Sequence, residues 1–559
     1  MERPSHSRRA ETTVRIGTAG LLAVAAGTAL SMQTARAQIE GAQVARGSAT
    51  FQNSGGRTVI TAADNTVINY SRFDIQAGQT VQFIQPGADS RVLNRISSTA
   101  PTRIDGSLLA NGRVYLVNPA GVVFGKNAII DAARFVAAAS KMSDQDFLRG
   151  TDRFTGVSGS AVNEGQINAS SVHLIGRVVE NHGAIVSHGG VVTLLSGSDV
   201  LIREEGSRIS VRIDGKDLES AATGGSARST TPAARPMTQV VGPTKAVSTQ
   251  RRMNSLGAGD VLSVAISQSS VKNTGNVRVA GGTAMLGAPA GSVANSGVID
   301  AGVESGAAGT VIVHGRDVTH SGTISAMSQD GQSGRVVLTS TNSTILTDGS
   351  VVSVAGGRGL ANAGSVLVHS FSGSTMFAPG AVIDLSGGAK GGNAGYAEVS
   401  AQGALGFRGV VLSAHVSGYG DALLYLDPRD VYITNAGAND PELLDGIIAA
   451  YESLDDYFVS AAAIEAFLGN VHIEASRDIL ISESIYKTNG DLRLDAGRDI
   501  IFGVAPAAVC PPPPPPPPWT VAGSPVRRCA CRAACSRPAS SSAPPTGCTP
   551  WRPRRRESW

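Results

Sequence analysis

The residues of this sequence that could do chemistry on a β-rich scaffold are two pairs of carboxylates near residue 500. Glu474 and Asp495 occupy matching positions of two similar segments, as do Asp478 and Asp499. Carboxylates stacked on one face could bind calcium or act as general acid and base on a polysaccharide. An arginine stands beside each pair at the same spacing, so a solvated ladder of charges explains them adequately. We therefore predict no catalytic residue here.

The other reactive residue types form no recognisable site. The nine histidines lack a metal-binding spacing such as His-Glu-x-x-His, and no phosphate loop or nucleophile elbow stands between a strand and a helix. Cys529, Cys531 and Cys535 lie close together without a paired Cys-x-x-Cys spacing. The sequence thus predicts no metal ligands and no cofactor, and we do not expect an enzyme.

Composition favours an elongated β protein. Of 559 residues 67 are Gly and only 4% are aromatic, which suits short stacked strands around a narrow interior. The formal net charge is +3, but residues 504–559 carry eight Arg and one Glu, so the body is mildly acidic. An acidic body argues against nucleic-acid binding. All five Cys lie in the same tail, so disulfides do not stabilise the body.

Residues 108–125 predict the local architecture. Two short apolar, β-branched runs alternate with the turn sequences Asn111-Gly112 and Asn118-Pro119-Ala120-Gly121. Asn and Gly accept positive φ angles, and Pro presets φ at the second position of a turn. Strands of about four residues between tight turns favour a coil of strands over a hairpin sheet.

This segment resembles the N-terminal secretion domain of the filamentous haemagglutinin family, the large exoproteins of two-partner secretion in Gram-negative bacteria. The stretch Val92-Leu93-Asn94-Arg95-Ile96 also resembles part of that domain. The family usually has Asn-Pro-Asn-Gly where this chain has Asn118-Pro119-Ala120-Gly121, and Ala120 cannot make a side-chain hydrogen bond. The resemblance is close over residues 40–150, and the rest of the chain shares only its general character with the family.

The resemblance implies an all-β fold, a right-handed parallel β-helix (β-solenoid), and secretion through the periplasm to the cell surface. It also implies recognition by the periplasmic domains of an outer-membrane transporter, rather than a stable integral membrane protein. The residues that would serve this recognition are Asn94, Asn111, Gly112, Asn118, Pro119, Gly121, Phe124 and Gly125. Shaping the turns at the start of the coil explains the Asn residues and Gly121 equally well.

Residues 1–37 have the pattern of a signal peptide. A basic start precedes an apolar run, and Ala35 and Ala37 supply the small residues that a signal peptidase needs, which predicts Gln38 as the mature start. A membrane anchor is disfavoured because the run is short and rich in Gly and Thr. The secretion domain is then expected over residues 38–150.

Internal repeats predict the rest of the body, residues 151–503. A motif of Asn or His, any residue, Gly, any residue and Ile or Val begins at Asn163, Asn181, Asn273, Asn295 and His320. A longer unit begins at Gly309, Gly334, Gly364 and Gly395. The cleanest pair, Gly469–Ile481 and Gly490–Phe502, matches at a period of 21. Periods of about 20 to 30 residues with short strands are typical of a β-solenoid.

Some segments interrupt this pattern. Residues 214–257 contain several prolines and predict a flexible loop insert. Apolar spacings of three and four in residues 441–468 predict short helices packed on the flank of the coil, in preference to a partner-binding helix. An Ala-rich stretch at 131–146 predicts a further short helix. Residues 504–559 contain eight consecutive prolines, and we interpret them as a disordered, frameshifted tail; a natural Pro-rich linker is the alternative.

These observations favour a filamentous adhesin or haemagglutinin-like structural protein, with its receptor or glycan on a host or neighbouring cell. Two alternatives are the truncated stalk of a contact-dependent toxin and a β-helical polysaccharide-active enzyme. A globular domain encoded beyond the proline run would favour the toxin. Clustered exposed carboxylates or aromatic residues on one rung would favour the enzyme.

Overall fold

The computed structural model describes residues 38–205, 208–218, 269–434 and 458–502. The predicted signal peptide, most of the loop insert, the first part of the helical insert and the tail lie outside the described residues. Two short helices are described, α1 (Asp144–Leu148) and α2 (Ala461–Ala466); all other regular elements of the described residues are strands.

The strands before α1 are β1 (Gln38–Glu40), β2 (Gln43–Arg46), β3 (Ala49–Ser54), β4 (Arg57–Ala62), β5 (Thr66–Tyr70), β6 (Arg72–Asp74), β7 (Thr80–Ile84), β8 (Arg91–Ile96), β9 (Thr102–Ile104), β10 (Ser107–Ala110), β11 (Arg113–Val117), β12 (Gly121–Phe124) and β13 (Ile129–Ala138). Up to residue 218 follow β14 (Asp152–Thr155), β15 (Ser160–Asn163), β16 (Gln166–Gly176), β17 (Val178–Asn181), β18 (Ala184–His188), β19 (Val191–Ser196), β20 (Asp199–Glu205), β21 (Arg208–Ile213) and β22 (Lys216–Asp217).

From residue 269 the strands are β23 (Ser270–Asn273), β24 (Asn276–Ala280), β25 (Thr283–Asn295), β26 (Val298–Asp300), β27 (Gly306–Ala307), β28 (Thr310–His320), β29 (Thr323–Ser325), β30 (Gly331–Gln332), β31 (Arg335–Leu346), β32 (Val351–Ser353), β33 (Ala361–Asn362), β34 (Ser365–Ser370), β35 (Ser374–Phe377), β36 (Val382–Asp384), β37 (Tyr396–Ala401), β38 (Leu405–Phe407), β39 (Val410–Leu412), β40 (Ala422–Pro428) and β41 (Val431–Thr434). The last are β42 (Val459–Ser460), β43 (Gly469–Ala475), β44 (Ile479–Ile481), β45 (Leu492–Ala496) and β46 (Ile500–Phe502).

These strands wind into a parallel coil with three faces. The covered face stacks β5, β8, β11, the later halves of β13 and β16, β19, the early halves of β25, β28 and β31, then β34, β37, β40, β43 and β45. The second face stacks β4, β7, β10, the early halves of β13 and β16, β18, β24, β26, β29, β32, β36 and β39. The third face begins with β9, β12, β15, β17 and β23 and continues to β46. The predicted all-β parallel solenoid is therefore confirmed.

Antiparallel strands close the first rung of the coil. Strand β1 pairs with β6, β2 pairs with β5, and β3 pairs with β4, all antiparallel, whereas the rungs that follow are joined by parallel pairing. A parallel strand at the end of a stack presents unpaired N–H and C=O groups to other chains. The antiparallel cap satisfies these groups at the first rung.

The glycine repeats arise from close approach between rungs. A Cβ atom on Gly334 or Gly364 would overlap the carbonyl oxygen of the glycine one rung earlier, Gly309 or Gly334. The pair with a period of 21 also stacks in the predicted register, with Val471 opposite Leu492 and the equivalent positions following. Each repeat is therefore one rung of the coil.

The polar residue of the shorter repeat forms a ladder inside the coil. The Nδ2 of Asn163 donates to Asn181 Oδ1 at 2.8 Å, Asn181 to Asn273 at 2.7 Å, and Asn273 to Asn295 at 2.7 Å. The ladder ends at His320, whose Nδ1 lies 3.1 Å from Asn295 Nδ2 and whose Nε2 lies 3.2 Å from the carbonyl oxygen of Val351. Every ladder side chain is buried, and each amide is satisfied by its neighbour.

A second apolar core lies outside the coil, on the covered face. Strands β14, β20, β21 and β22 form an antiparallel sheet that packs there with α1. Phe147 of α1 meets Tyr115 edge to face at 5.4 Å between ring centroids, and Leu218 lies against Gly287. The predicted loop insert therefore begins with ordered residues, because the apolar side chain of Leu218 is buried in this core.

Two helix predictions change in the structure. Most of the Ala-rich stretch 131–146 is strand, because residues up to 138 pair in parallel with β16 and carry Phe135 into the main core. Only α1 is helical there, and Ser143 caps it by accepting from the N–H of Asp146. In the second insert, α2 packs Ile464 inside the main core, not on the flank, and β42 lies between β38 and β41.

Buried histidines predict that the protein loses stability in acid. Burial lowers the pKa of His173 to about 3 and that of His314 to about 4, and it also lowers the pKa of His320. The unfolded chain takes up these protons near pH 6.5, so stability is present above this pH and is lost as the pH falls towards the folded pKa values.

We expect the free energy of unfolding to fall by about 1.4 kcal/mol per pH unit for each of His173 and His314 between about pH 6.5 and 4.5, and protonation of His320 adds to this loss. Urea unfolding across this range, with His314→Gln to reduce the slope, measures the effect. The exposed His188 provides the control variant, His188→Gln, which should keep the wild-type slope. A free energy of unfolding that stays constant over the range would contradict the prediction.

Candidate functional site

The turn between β11 and β12 is fastened by Asn118. Its Oδ1 accepts from the N–H of Ala120 at 3.0 Å, while the N–H of Gly121 donates to the Asn118 carbonyl at 2.9 Å. This is an Asx-type turn, and Gly121 has φ of +129°, a value that side chains disfavour. The sequence predicted both the turn and its residues.

Asn118 also ties the turn to neighbouring rungs. Its Nδ2 donates to the carbonyl of Ala100 at 3.0 Å and to Thr102 Oγ1 at 3.1 Å. Its backbone N–H donates to the carbonyl of Ala138 at 3.0 Å. The side chain is fully buried, so a partner protein cannot contact it in the folded domain.

Asn111 and Gly112 form a second fastening. The Asn111 side chain accepts from the N–H of Gln85 at 2.8 Å and donates to the Gln85 carbonyl at 2.7 Å. Gly112 is buried against the Gln85 side chain, where a Cβ atom would come within 2.6 Å. Gln85 itself is buried and donates to the carbonyl of Ser90 at 2.7 Å. The corner is therefore held by side-chain amides on two rungs.

Asn94 does not form a turn, in contrast to the sequence-based expectation. It lies within β8 and points into the core, where its Oδ1 accepts from Tyr70 Oη at 3.0 Å and its Nδ2 donates to the Tyr115 carbonyl at 3.2 Å. Burial raises the pKa of Tyr70, which keeps the phenol protonated as the donor. Asn94 thus supplies the hydrogen-bond acceptor for a buried tyrosine hydroxyl.

Phe124 and Gly125 border the site on the side of the following rung. Phe124 is buried, packs edge to face on Phe135 at 5.5 Å, and stacks directly above Asn163, the first residue of the ladder. The N–H of Gly125 donates to the Ile104 carbonyl at 2.8 Å, and the Asp105 carboxylate fills the space of a Cβ atom. The aromatic pair therefore seals the interior between the site and the ladder.

Few of the predicted site residues are accessible to a partner. Asn111 is exposed, and Pro119 is half-buried together with Ala120, whereas the others are buried. Sequence reasoning missed Gln85 and Tyr70, which hold the site from within. Nothing in the sequence marked Gln85 as a site residue, because glutamine is usually exposed and the sequence does not show that this one is buried.

Charged side chains surround the site in partly exposed pairs. Arg113 lies 2.5 Å from Asp89, and the guanidinium holds the pKa of that carboxyl below its usual value. Arg95 pairs with Asp144 at the start of α1. Solvent screens pairs of this exposure, so each of them contributes little to the stability of the fold. The pair between Arg95 and Asp144 ties the start of α1 to β8.

The carboxylate pairs near residue 500 stack in the predicted register, and each is engaged by the chain itself. Asp478 pairs with Arg498, and Glu474 accepts from Tyr425 Oη at 2.7 Å. Asp495 accepts from His472 Nε2 at 2.8 Å. Within the described ranges, no group of three His, Cys, Asp or Glu residues is placed to hold a metal ion.

Comparison with known proteins identifies the first half of the chain. Residues 33–301 match the TPS secretion domain family. The match spans the antiparallel cap, the site around Asn118 and the Asn ladder down to Asn295. The fold is that of the HMW1 secretion domain from Haemophilus influenzae, at a TM-score of 0.51 and 20% identity, over 83% of this chain and 100% of that chain.

Two relatives, both called heme/hemopexin-binding protein in Haemophilus influenzae, share sequence with this chain. One is 31% identical over 207 residues, and the other is 34% identical over 85 residues. The matches cover 34% and 15% of this chain, but only 23% and 9% of those proteins. The matched segments therefore make up less than a quarter of each relative.

The fold is a parallel β-helix that begins with an antiparallel cap, and the match to the TPS secretion domain covers this end of the coil. Residues 33–301 have the sequence of a TPS secretion domain, the export domain of two-partner secretion exoproteins, and the protein is secreted through the periplasm to the cell surface. No helix among the described residues has the length and apolar character to cross a membrane.

Proposed function

We propose that an outer-membrane partner transporter exports this protein by recognising the first rungs around the Asn118 turn. The match of residues 33–301 to the TPS secretion domain supports this proposal most strongly. Buried Asn94, Asn118 and Phe124 would shape the recognised backbone, while exposed Asn111 and half-buried Pro119 would face the periplasmic domains of the transporter. Recognition by shape explains why so many predicted site residues are internal.

In this proposal, folding drives export. Each rung that emerges outside the cell buries apolar residues and pairs with the rung before it, so sliding back would cost the energy of the new contacts. The antiparallel cap gives the first rung a finished end, and parallel rungs can add only on the other side. The signal peptide with cleavage between Ala37 and Gln38 would deliver the chain to the periplasm.

Once outside, the protein would act as an adhesin or a structural protein of the cell surface, and not as an enzyme. The long parallel coil supports this role, because its regular rungs present repeated surfaces. The toxin stalk and the polysaccharide-active enzyme remain the alternatives. The relatives' named ligands, heme and hemopexin, are worth testing as probes, although the shared part covers little of those proteins.

Co-expression tests the export step. The full chain is produced in a Gram-negative host with and without a candidate transporter, and the medium and periplasm are assayed. We expect the protein in the medium only when the transporter is present. Release without the transporter, or retention with every candidate transporter encoded beside the gene, would contradict the proposal. Binding of the released protein to cultured cells then tests the adhesin role.

A further inference from the structure

Loops project from five successive corners of the coil and form a stack of their own. They join the second face to the covered face and comprise residues 301–309, 326–334, 354–364, 385–395 and 413–421. Strands β27, β30 and β33 pair in parallel across the first three loops, and Leu360 of the third loop pairs with Gly391 of the fourth. We call this group the loop stack.

The loop stack contains a cleft of about 370 Å³. This volume lies within the range of about 300 to 1,000 Å³ that is usual for small-molecule sites. The loop cleft is lined by Glu304, Gln329, Asp330, Arg358, Gly359 and Lys390.

Backbone hydrogen bonds hold the walls of the cleft. The N–H of Gly359 donates to the Gln329 carbonyl at 2.8 Å, and the N–H of Lys390 donates to the Gly359 carbonyl at 3.1 Å. The Gln329 side chain accepts from the N–H of Arg358 at 3.2 Å, and the Asp330 carbonyl accepts from the N–H of Gly306, in the preceding loop, at 2.8 Å. A site with walls fixed in advance loses little entropy when it binds a ligand.

The charged groups of the cleft balance one another and are available to a ligand. Two are acidic, Glu304 and Asp330, and two are basic, Arg358 and Lys390. In the part of the chain that the structure describes, no ion pair or side-chain hydrogen bond occupies these four groups. The balance disfavours a simple anion or cation, whereas donors and acceptors on opposite walls suit hydroxyl groups.

An aromatic ring and an aliphatic side chain flank the cleft. The Tyr419 ring lies over the backbone of Gly391, where a Cβ atom would come within 2.5 Å of the ring, and Gly391 follows Lys390 of the cleft wall. Tyr419 is 38% exposed, and Leu360, which pairs with Gly391, is 55% exposed. A flat apolar surface beside hydrogen-bonding groups suits a ring that has an apolar face and a polar edge.

We propose that the loop cleft binds a neutral saccharide unit. Sugar hydroxyls both donate and accept, so Asp330 and Glu304 would accept from them while Arg358 and Lys390 donate. The Tyr419 ring would pack against the C–H face of the sugar. The proposal rests on the adhesin role, because it names the chemistry of the surface ligand that such a role requires.

Binding of the secreted full chain to immobilised oligosaccharides tests the proposal. The panel contains neutral glucosides, galactosides, mannosides and N-acetylhexosamines together with sialylated and sulfated glycans. We expect retention on a neutral glycan and at least about a tenfold weaker Kd for Asp330→Asn/Arg358→Gln and for Tyr419→Ala, as the loss of charged hydrogen bonds predicts. Asp348→Asn, at an exposed turn on another corner, is the matched control and should bind like the wild type.

The outcomes separate this proposal from the adhesin role. Binding to acidic glycans alone, to no glycan of the panel, or with equal affinity by the cleft variants would overturn the cleft proposal. If the wild type and the cleft variants adhere to cells equally strongly, the adhesin role would be supported and the cleft proposal would be contradicted. If the wild type binds a neutral glycan at the cleft but does not adhere to cells, only the adhesin role would be contradicted.

Discussion

Replacing Asn118 and Pro119 together with Ala is expected to leave the protein in the periplasm and to reduce the amount in the medium at least about tenfold. The substitution removes the acceptor for the Ala120 N–H and the donor to Ala100 and Thr102. Leaving such buried groups without partners costs about 1 to 3 kcal/mol, and loss of Pro frees the backbone of the turn. The surface offered to the transporter then loses its shape. Immunoblots of medium and periplasm, with the transporter co-expressed, measure the effect.

A matched variant separates recognition from stability. Asn273→Ala also removes a buried asparagine and its two ladder hydrogen bonds, but it lies several rungs from the turn. If recognition depends on the turn, this control should be secreted although its stability falls by a similar amount. Equal secretion defects in both variants would mean that the Asn118 turn is scaffold only. Normal secretion of the double variant would exclude the turn as a recognition element.

Replacing Gly183 with Ala should destabilise the coil by about 3 kcal/mol, near the upper end for overpacking. The new methyl group would overlap the carbonyl oxygen of Gly165 and come within 2.7 Å of the carbonyl carbon of Glu164. These contacts are backbone atoms of the preceding rung, so no side chain can move aside. The rungs must separate, which weakens the ladder between Asn163 and Asn181. Urea or thermal unfolding of the secreted chain measures the loss.

Gly87→Ala is the control for this prediction. A Cβ atom at Gly87 would meet nothing within 4 Å, and its backbone angle is ordinary for an L residue. We expect its free energy of unfolding to differ from the wild type by less than about 0.5 kcal/mol. Similar stability of the Gly183 and Gly87 variants would show that rung spacing adapts locally and that the glycine repeat has another cause.

The sequence predicted the coil well because each rung repeats the same physical constraint. A glycine is needed wherever a carbonyl of the preceding rung fills the space of a Cβ, as at Gly183 and Gly334, and this constraint produces a visible period. The turn at Asn118 could likewise be predicted, because the Asx-type hydrogen bond is local. Features that depend on neighbours far away in sequence left no such period.

The failures have one common cause, which is contact between parts of the chain that are distant in sequence. Residues 131–138 are rich in helix formers, but parallel pairing with β16 overrides that propensity. Asn94 is of a residue type that favours turns, but it lies inside the core and accepts a hydrogen bond from the Tyr70 hydroxyl. The loop cleft was also invisible, because its lining comes from separate rungs whose alignment only the coil creates.

The Asn ladder shows how freely this architecture can lengthen. Asn163 and Asn181 are 18 residues apart in sequence, whereas Asn181 and Asn273 are 92 residues apart, yet the two contacts measure 2.8 and 2.7 Å. The hydrogen bonds of the ladder therefore depend on which asparagine lies on the adjacent rung, and not on the number of residues between the two in sequence. A corner of the coil can host a large insertion, including a foreign domain, while the interior continues as if nothing had been added.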